Sequence, residues 1–333
     1  VNGEGVSRLA AEIREFEGVV RKRPIGKVVR RLLGEEVDPL VGEVVAAEGE
    51  DAAVIRDGDR LLLLAADGIW GVLMERDPWW AGYCSVLVNV NDVLAMGGLP
   101  VAVVNVLASS DPEVCDEVIE GMREGARKFS TPVVGGHTHP DAPHDSVDAA
   151  VLGATDEEHL VLSSTAEPGD LLVFVVDLDG RQYPGFPLNW DTTTMKDPSE
   201  IRRQMEAVRE ASAHVKAGKD VSNPGLIGTL AMMLEVSGRL GAEVILDEVP
   251  KPEGLDWATW LKSYPGVGFI YAVEDEDSAD RVIGTVERAG LVGAVVGRVN
   301  DTGKVEISMG GRSATVFDLK KEGILSPRGG AKG

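Results

Sequence analysis

Between residues 84 and 98 the chain reads Cys-Ser-Val-Leu-Val-Asn-Val-Asn-Asp-Val-Leu-Ala-Met-Gly-Gly. Val86, Val90, Val93 and Leu94 recur at helical spacing, so Asn89, Asn91 and Asp92 fall inside an apolar helix. Amides and a carboxylate in that setting need hydrogen-bond partners or a ligand, and a cluster of them reads as a device for holding something. Two further carboxylates stand at strand ends. Asp51 lies in the acidic turn Glu48-Gly-Glu-Asp, and Asp67 follows the apolar run Leu61 to Ala66. Such residues are ordinarily surface punctuation, but they also supply the hard oxygen ligands that Mg²⁺ prefers.

Positive charge is concentrated at Arg21-Lys22-Arg23, in a chain whose formal net charge is −22. A basic knot is ordinarily a solvated loop; in so acidic a chain it is also where an anion would be held. Gly135-Gly136-His137-Thr138-His139 opens a segment that also carries His144, interleaved with Asp141, Asp145 and Asp148. Imidazoles mixed with carboxylates bind zinc or iron. The spacing is that of a loop, however, and Gly-Gly before His-Thr fits close backbone approach to a ligand better. From Asp179 to Thr194 aromatics and turn formers alternate without period, and a loop of this length is commonly functional. Its Arg181, Tyr183, Trp190 and Asp191 suit a small anionic or ring-bearing acceptor. The competing reading is that Tyr183, Phe186 and Trp190 simply seal the second half of the molecule.

The elements that must position these groups alternate between helix and strand. Helices are expected at 7–16 and 25–33, through the central pattern ending at Gly97-Gly98, and at 112–129, 199–217 (capped by Ser199), 225–238 and 277–289. Buried strands are expected at 61–66, 101–107, 131–134, 171–176, 243–247, 267–273 and 291–297. The runs at 61–66 and 101–107 are apolar on both faces, which one chain's helices need not cover, so a homodimer is expected. A boundary near Pro168-Gly169-Asp170 divides residues 1–166 from 167–333, each an α/β unit. Met232-Met233 reads as core filling.

At 333 residues the chain is long enough for two such units, and its hydrophobic content of 44% is that of a globular α/β protein. The acidic balance argues against a phosphate-backbone binder, hence no nucleic acid. A chain so acidic must use a local basic cluster or a divalent cation to handle phosphate. Two cysteines, Cys84 and Cys115, exclude a disulfide scaffold and a four-cysteine zinc site. No run reaches a membrane-spanning length and no apolar signal region opens the chain, so no membrane association and a cytoplasmic location are expected.

Asp51-Ala-Ala-Val, Ala66-Asp67-Gly68, Asn89-Val-Asn-Asp-Val-Leu-Ala-Met-Gly-Gly98, Gly135-Gly-His-Thr138 and Asp220-Val-Ser-Asn-Pro-Gly together resemble the ATP-binding superfamily of aminoimidazole-ribonucleotide synthetase. Selenophosphate synthetase, thiamine-monophosphate kinase and the hydrogenase-maturation carbamoyl dehydratase belong to it. Phe16-Glu-Gly-Val, Trp190-Asp-Thr-Thr and Tyr264-Pro-Gly-Val-Gly-Phe resemble most the synthetase-related group called methanogenesis marker protein 2. The resemblance implies an α/β fold in which the first domain's mixed sheet closes a barrel with that of a second subunit and a C-terminal α/β domain packs on it. ATP would lie near the dimer interface, with Mg²⁺ bridging its phosphates.

Carried onto this chain, the resemblance places Asp51, Asp67 and Asp220 at metal-ligand positions and Asp92 at a metal- or nucleotide-contacting one. Asp51, Asp67 and Asp92 would thereby serve catalysis. Asn89 and Asn91 belong to the same nucleotide-binding motif. Gly135, Gly136, His137 and Thr138 fall on the nucleotide loop, and Arg21, Lys22 and Arg23 on the segment that folds over phosphates. The implied activity is ATP- and Mg²⁺-dependent phosphoryl transfer to, or activation of, a small-molecule acceptor. A thiamine-monophosphate-type kinase and an ATP-binding assembly factor are the alternatives. Residues 1–60 lack the cysteine common near the selenophosphate synthetase N-terminus, and the tail lacks the dehydratase's terminal cysteine. The acidic pattern of the thiamine kinases does not follow Asp67, where Gly-Ile-Trp stands instead.

Overall fold

The computed structural model describes residues 3–32 and 39–325, and every statement below refers to them. Three helices open the chain: α1 (Gly3–Arg14), α2 (Glu17–Val20) and α3 (Ile25–Leu32). Val6, Ala10 and Ile13 lie on one face of α1, as the i, i+4, i+7 pattern dictates, and are buried. They join the core of the C-terminal half, and the Arg14 guanidinium donates to the carbonyls of Val316 and Thr315 at 2.5 and 2.7 Å. The chain's beginning is thus clamped to the unit formed by its end, across the expected division at 166.

The first sheet comprises β1 (Glu43–Ala46), β2 (Ala53–Asp57), β3 (Arg60–Gly68), β4 (Leu99–Ala108), β5 (Val133–His139) and β6 (Ser146–Thr155), in the spatial order β1-β2-β3-β6-β4-β5. All its pairings are antiparallel except β4 with β5. After the short α4 (Gly71–Arg76), the central helix α5 (Pro78–Ala95) crosses one face of the sheet and α6 (Pro112–Lys128) lies on α5. Asp77 caps α5 by accepting from Trp80 N at 2.9 Å, and Pro78 fills the first position. A Cβ at Gly82 would lie 2.1 Å from the Val118 carbonyl, and one at Gly121 1.9 Å from that of Trp79. These glycines let the two helix backbones touch. The helix ends at Gly97, whose φ of +72° and 1.7 Å approach of a built Cβ to His159 O admit no other residue.

Burial along β3 alternates instead of being continuous. Leu61, Leu63 and Ala65 face α5, whereas Leu64 is exposed on the other side, level with Leu152 on β6. Val104 and Val106 of β4 are exposed too. The expectation that these strands need cover on two faces therefore meets a sheet covered on one face by its own chain.

The second sheet contains β7 (Leu171–Val176), β10 (Ala217–Asp220), β11 (Gly241–Ile245), β13 (Gly268–Val273), β14 (Val292–Asn300), β15 (Lys304–Met309) and β16 (Arg312–Asp318), in the order β10-β13-β7-β14-β11-β15-β16. Strands β7 and β13 are buried at every residue because α8 (Gly225–Val236) covers one face, while α7 (Pro198–Ser212) and α10 (Glu276–Glu287) cover the other. A small third sheet pairs β8 (Arg181–Tyr183), β9 (Phe186–Asp191) and β12 (Tyr264–Pro265), with α9 (Trp257–Lys262) beside it. The cap of α7 is Asp197, not Ser199: Pro198 occupies the first helical position and the Asp197 carboxylate accepts from Ser199 N at 2.8 Å. None of the helices is long and apolar enough to cross a membrane.

Candidate functional site

The two large sheets, the small third sheet and the N-terminal helices border one cleft of about 460 Å³, a size that suits a small-molecule ligand. On α5, Cys84, Leu87, Val88, Asn91 and Asp92 line it, the stripe that a 3.6-residue period turns to one side. Asp51 enters from the turn before β2, Asp67 from the end of β3, and Lys219 with Asp220 from the end of β10. Asp51, Asp92 and Asp220 each present an oxygen within 4.8 Å of the others.

Their environment disfavours three charges so close together. Burial raises the Asp92 carboxyl well above the usual carboxylate range, and the charges of Asp67, Asp220 and Asp51 and a hydrogen bond with Asp67 add to it. Burial, then the Asp51 charge, push Asp220 up to about 8, against the pull of Lys219 and Lys22. At Asp51 burial also raises the carboxyl, and the Lys219 ammonium opposes it. Burial works against the charge on Lys219, but the attraction of and hydrogen bond to Asp51, together with the charges of Asp220 and Glu50, outweigh it and the net shift is upward. The Lys219 ammonium donates to Asp51 Oδ1, while Asp51 Oδ2 is buried without a partner. A cluster of repelling carboxylates with an orphaned oxygen fits a hard divalent cation, which would relieve both the repulsion and the missing bond.

Above the carboxylates, the turn from α2 to α3 brings Arg21 and Lys22 to the cleft wall, with the Arg21 guanidinium 5.5 Å from the centre of the Trp70 ring. Trp70, Trp80, Leu87 and Tyr264 make another part of the wall apolar. Asn91 Nδ2 donates to Gly266 O at 2.8 Å, leaving its Oδ1 buried and unpartnered.

Residues 49–155 match the model of the AIR synthase related protein N-terminal domain, and residues 167–310 match that of its C-terminal domain. The chain belongs to the AIR synthase related family. An uncharacterised protein of Methanocaldococcus jannaschii is 44% identical over 96% of this chain and 98% of its own length. The selenide, water dikinase of Carboxydothermus hydrogenoformans is 30% identical over 72% of this chain and 70% of its own. T. maritima PurL, solved in complex with ATP, shares the fold with a TM-score of 0.70 at 21% identity; the match covers 85% of this chain but 48% of PurL. This chain thus spans about half the length of that neighbour.

Not every residue singled out in the sequence reaches the AIR synthase related cleft. Asn89 is fully buried away from it, its Nδ2 bonded to Ser85 O at 2.9 Å, because two helical positions separate it by about half a turn from Asn91. Arg23 is exposed and does not line the cleft. Gly135, Gly136, His137 and Thr138 are not a loop within this chain: they continue the exposed edge strand β5, where register with β4 prolongs the backbone ladder, and none lines the cleft. The His137 and His139 rings meet edge to face at 4.6 Å, as residues two apart on a strand can. Among the described residues the ligand set close enough to share an ion is the aspartate one, not a set built from His137, His139 and His144.

The segment expected to hold the acceptor is a β-hairpin, β8 with β9, and several of its side chains are anchored by packing and hydrogen bonds. Tyr183 stacks on Trp80 at 3.9 Å and donates to Asp77 Oδ2 at 3.0 Å. Asp191 is buried, accepting from the Thr193 and Thr194 amides at 3.1 and 3.0 Å, with Arg181 at 3.4 Å. Trp190 lines the cleft but is anchored by Asp177 O and Trp260. Arg181, Tyr183 and Asp191 do not reach the cleft. The cleft is also lined by residues not named as site candidates from the sequence: Trp70, Trp80, Tyr264 and Lys219. Lys219 had a signal, since a lysine directly before a candidate ligand aspartate can balance its charge.

Proposed function

We propose that this chain binds ATP with Mg²⁺ in the cleft between its two sheets and uses it to phosphorylate, or to activate through phosphate, a small acceptor. The observation that carries the reading is the convergence of Asp51, Asp92 and Asp220 in the cleft that Arg21 and Lys22 also border. Carboxylates alone would repel a triphosphate, and bases alone would not order it. Mg²⁺ held by Asp51, Asp67, Asp92 and Asp220 would supply charge neutralisation at the phosphates and at the transferring group. Arg21 and Lys22 bind the outer phosphate oxygens, and Asn91 Oδ1 offers an acceptor to a ligand donor. The Trp70, Trp80 and Tyr264 wall receives a ring, either the nucleotide base or the acceptor.

Two relationships support the reading. One relative's name, selenide, water dikinase, denotes phosphoryl chemistry, and a structural neighbour was solved with ATP. The working unit is a homodimer in which the uncovered face bearing Leu64, Val104, Val106 and Leu152 closes on its equivalent as a barrel. The exposed Gly135–Thr138 edge then contributes to nucleotide binding from the second copy, not within its own cleft. A screen of small metabolites for acceptor-stimulated ADP release tests the activity. The reading predicts stimulation by one chemical class, whereas ATP neither bound nor turned over under any condition would contradict it.

A further inference from the structure

Lys219 lies in the cleft wall, 5% exposed, and its ammonium is fully committed. It donates to Asp51 Oδ1, to Gly49 O at 3.3 Å and to Ser163 Oγ at 3.3 Å. An ammonium has three N–H groups, so none remains for a phosphate oxygen. The Asp51 side chain is 7% exposed, its Oδ1 is bonded to this fixed cation and its Oδ2 is buried and unpartnered, and one of its oxygens lies within 4.8 Å of an oxygen of Asp92 and of Asp220. Lys219 therefore competes with a metal for Oδ1 and favours coordination of Asp51 through one oxygen.

That preference discriminates between ions of equal charge. Mg²⁺ takes six ligands in tight octahedral geometry, keeps several waters and accepts single carboxylate oxygens, whereas Ca²⁺ takes six to eight at longer range and gains from bidentate carboxylates. Resting on the metal part of the proposed function, we infer that Lys219 is a specificity-determining residue: by holding Oδ1 of Asp51 it makes the cluster select Mg²⁺ or Mn²⁺ over Ca²⁺. Charge balance alone would not do this, since neutralising one carboxylate weakens every divalent ion alike.

The test uses the full chain without nucleotide. Mn²⁺ binding is followed by the loss of the free-ion EPR signal, and Mg²⁺ and Ca²⁺ are titrated as competitors at constant pH and ionic strength. Lys219→Met should shift the ratio of Ca²⁺ to Mg²⁺ affinity towards Ca²⁺ by about tenfold, given the second oxygen released at Asp51. In an Asp51→Asn background, where position 51 has one oxygen regardless, the same substitution should leave the ratio unchanged. If Lys219→Met is unfolded without metal, the ratio is read from the Ca²⁺ and Mg²⁺ concentrations that restore its melting transition. An unchanged ratio in Lys219→Met, with wild-type Mn²⁺ binding intact, overturns this inference and leaves the metal reading standing. A wild-type chain that binds no Mn²⁺ overturns both.

Discussion

Asn91 on the central helix and Gly266, between β12 and β13, are joined by a hydrogen bond of 2.8 Å from the amide Nδ2 to the backbone carbonyl. The bond crosses 175 residues and fixes the helix that carries Asp92 against the strap that carries Tyr264. Replacing Asn91 with Leu leaves the Gly266 carbonyl without its partner in a buried setting, which costs about 1–3 kcal/mol. Denaturant unfolding should show that loss. Calorimetry should show weaker nucleotide binding beyond what the stability change explains, because Asn91 Oδ1 is lost from the cleft as well.

The raised carboxyls give the site a pH dependence of definite sign. In the folded chain Asp220 holds its proton to about pH 8, whereas unfolded it releases it near pH 4. Between those values the native state binds more protons, so this group's contribution to metal-free stability is full below about pH 4 and declines until about pH 8. A cation must displace these protons. Thermal melts with and without Mg²⁺ should therefore diverge as pH rises from 6 to 8.5, and Mg²⁺ affinity should climb over the same range. An Mg²⁺ effect independent of pH would contradict protonated ligands.

In the β8–β9 hairpin two of the four residues proposed for acceptor binding on sequence grounds, Trp190 and Arg181, separate cleanly. Trp190→Ala removes a buried ring packed on Trp260 and should cost about 3–5 kcal/mol. Arg181→Ala should leave melting temperature and ATP affinity nearly unchanged, since the Arg181 side chain is half exposed and Asp191 keeps its backbone donors. Loss of acceptor-stimulated turnover in Arg181→Ala at unchanged stability would restore the hairpin as an acceptor site.

The uncovered sheet face predicts association. Sedimentation should give twice the 35.4 kDa chain mass at micromolar concentration, and Val104→Glu, at the exposed centre of β4, should shift the species towards monomer. A wild-type monomer would contradict the dimer.

Much of this was legible because local chemistry and burial agree. Asp51 and Asp67 stand at strand ends and Asp92 inside an apolar helix, Asp220 enters through the family resemblance alone, and the structure brings all four to the cleft. Other features depended on tertiary context. The side of α5 on which Asn89 falls depends on where the cleft is, not on the helix pattern itself. Gly135 to Thr138 reads as a loop because glycines depress strand propensity, yet β4 pairs with them and the ladder overrides it; a side chain at 136 would strike the Asn105 carbonyl. The strand β10 escaped because Ala-Gly-Lys-Asp has no β-branched residue, and its burial comes wholly from neighbours. The hairpin β15–β16 did carry a signal, Gly310-Gly311, both with positive φ.

Calorimetric titration of ATP into the full chain, in excess Mg²⁺ and again in EDTA, bears most directly on the central claim. On the proposed reading, a cation between protein and triphosphate relieves the repulsion of the convergent carboxylates and satisfies the orphaned Asp51 oxygen. Affinity should therefore fall by at least about tenfold in EDTA, and Asp92→Asn should reduce the Mg²⁺-dependent part while the chain stays folded. Equal ATP affinity in Mg²⁺ and in EDTA would contradict the account.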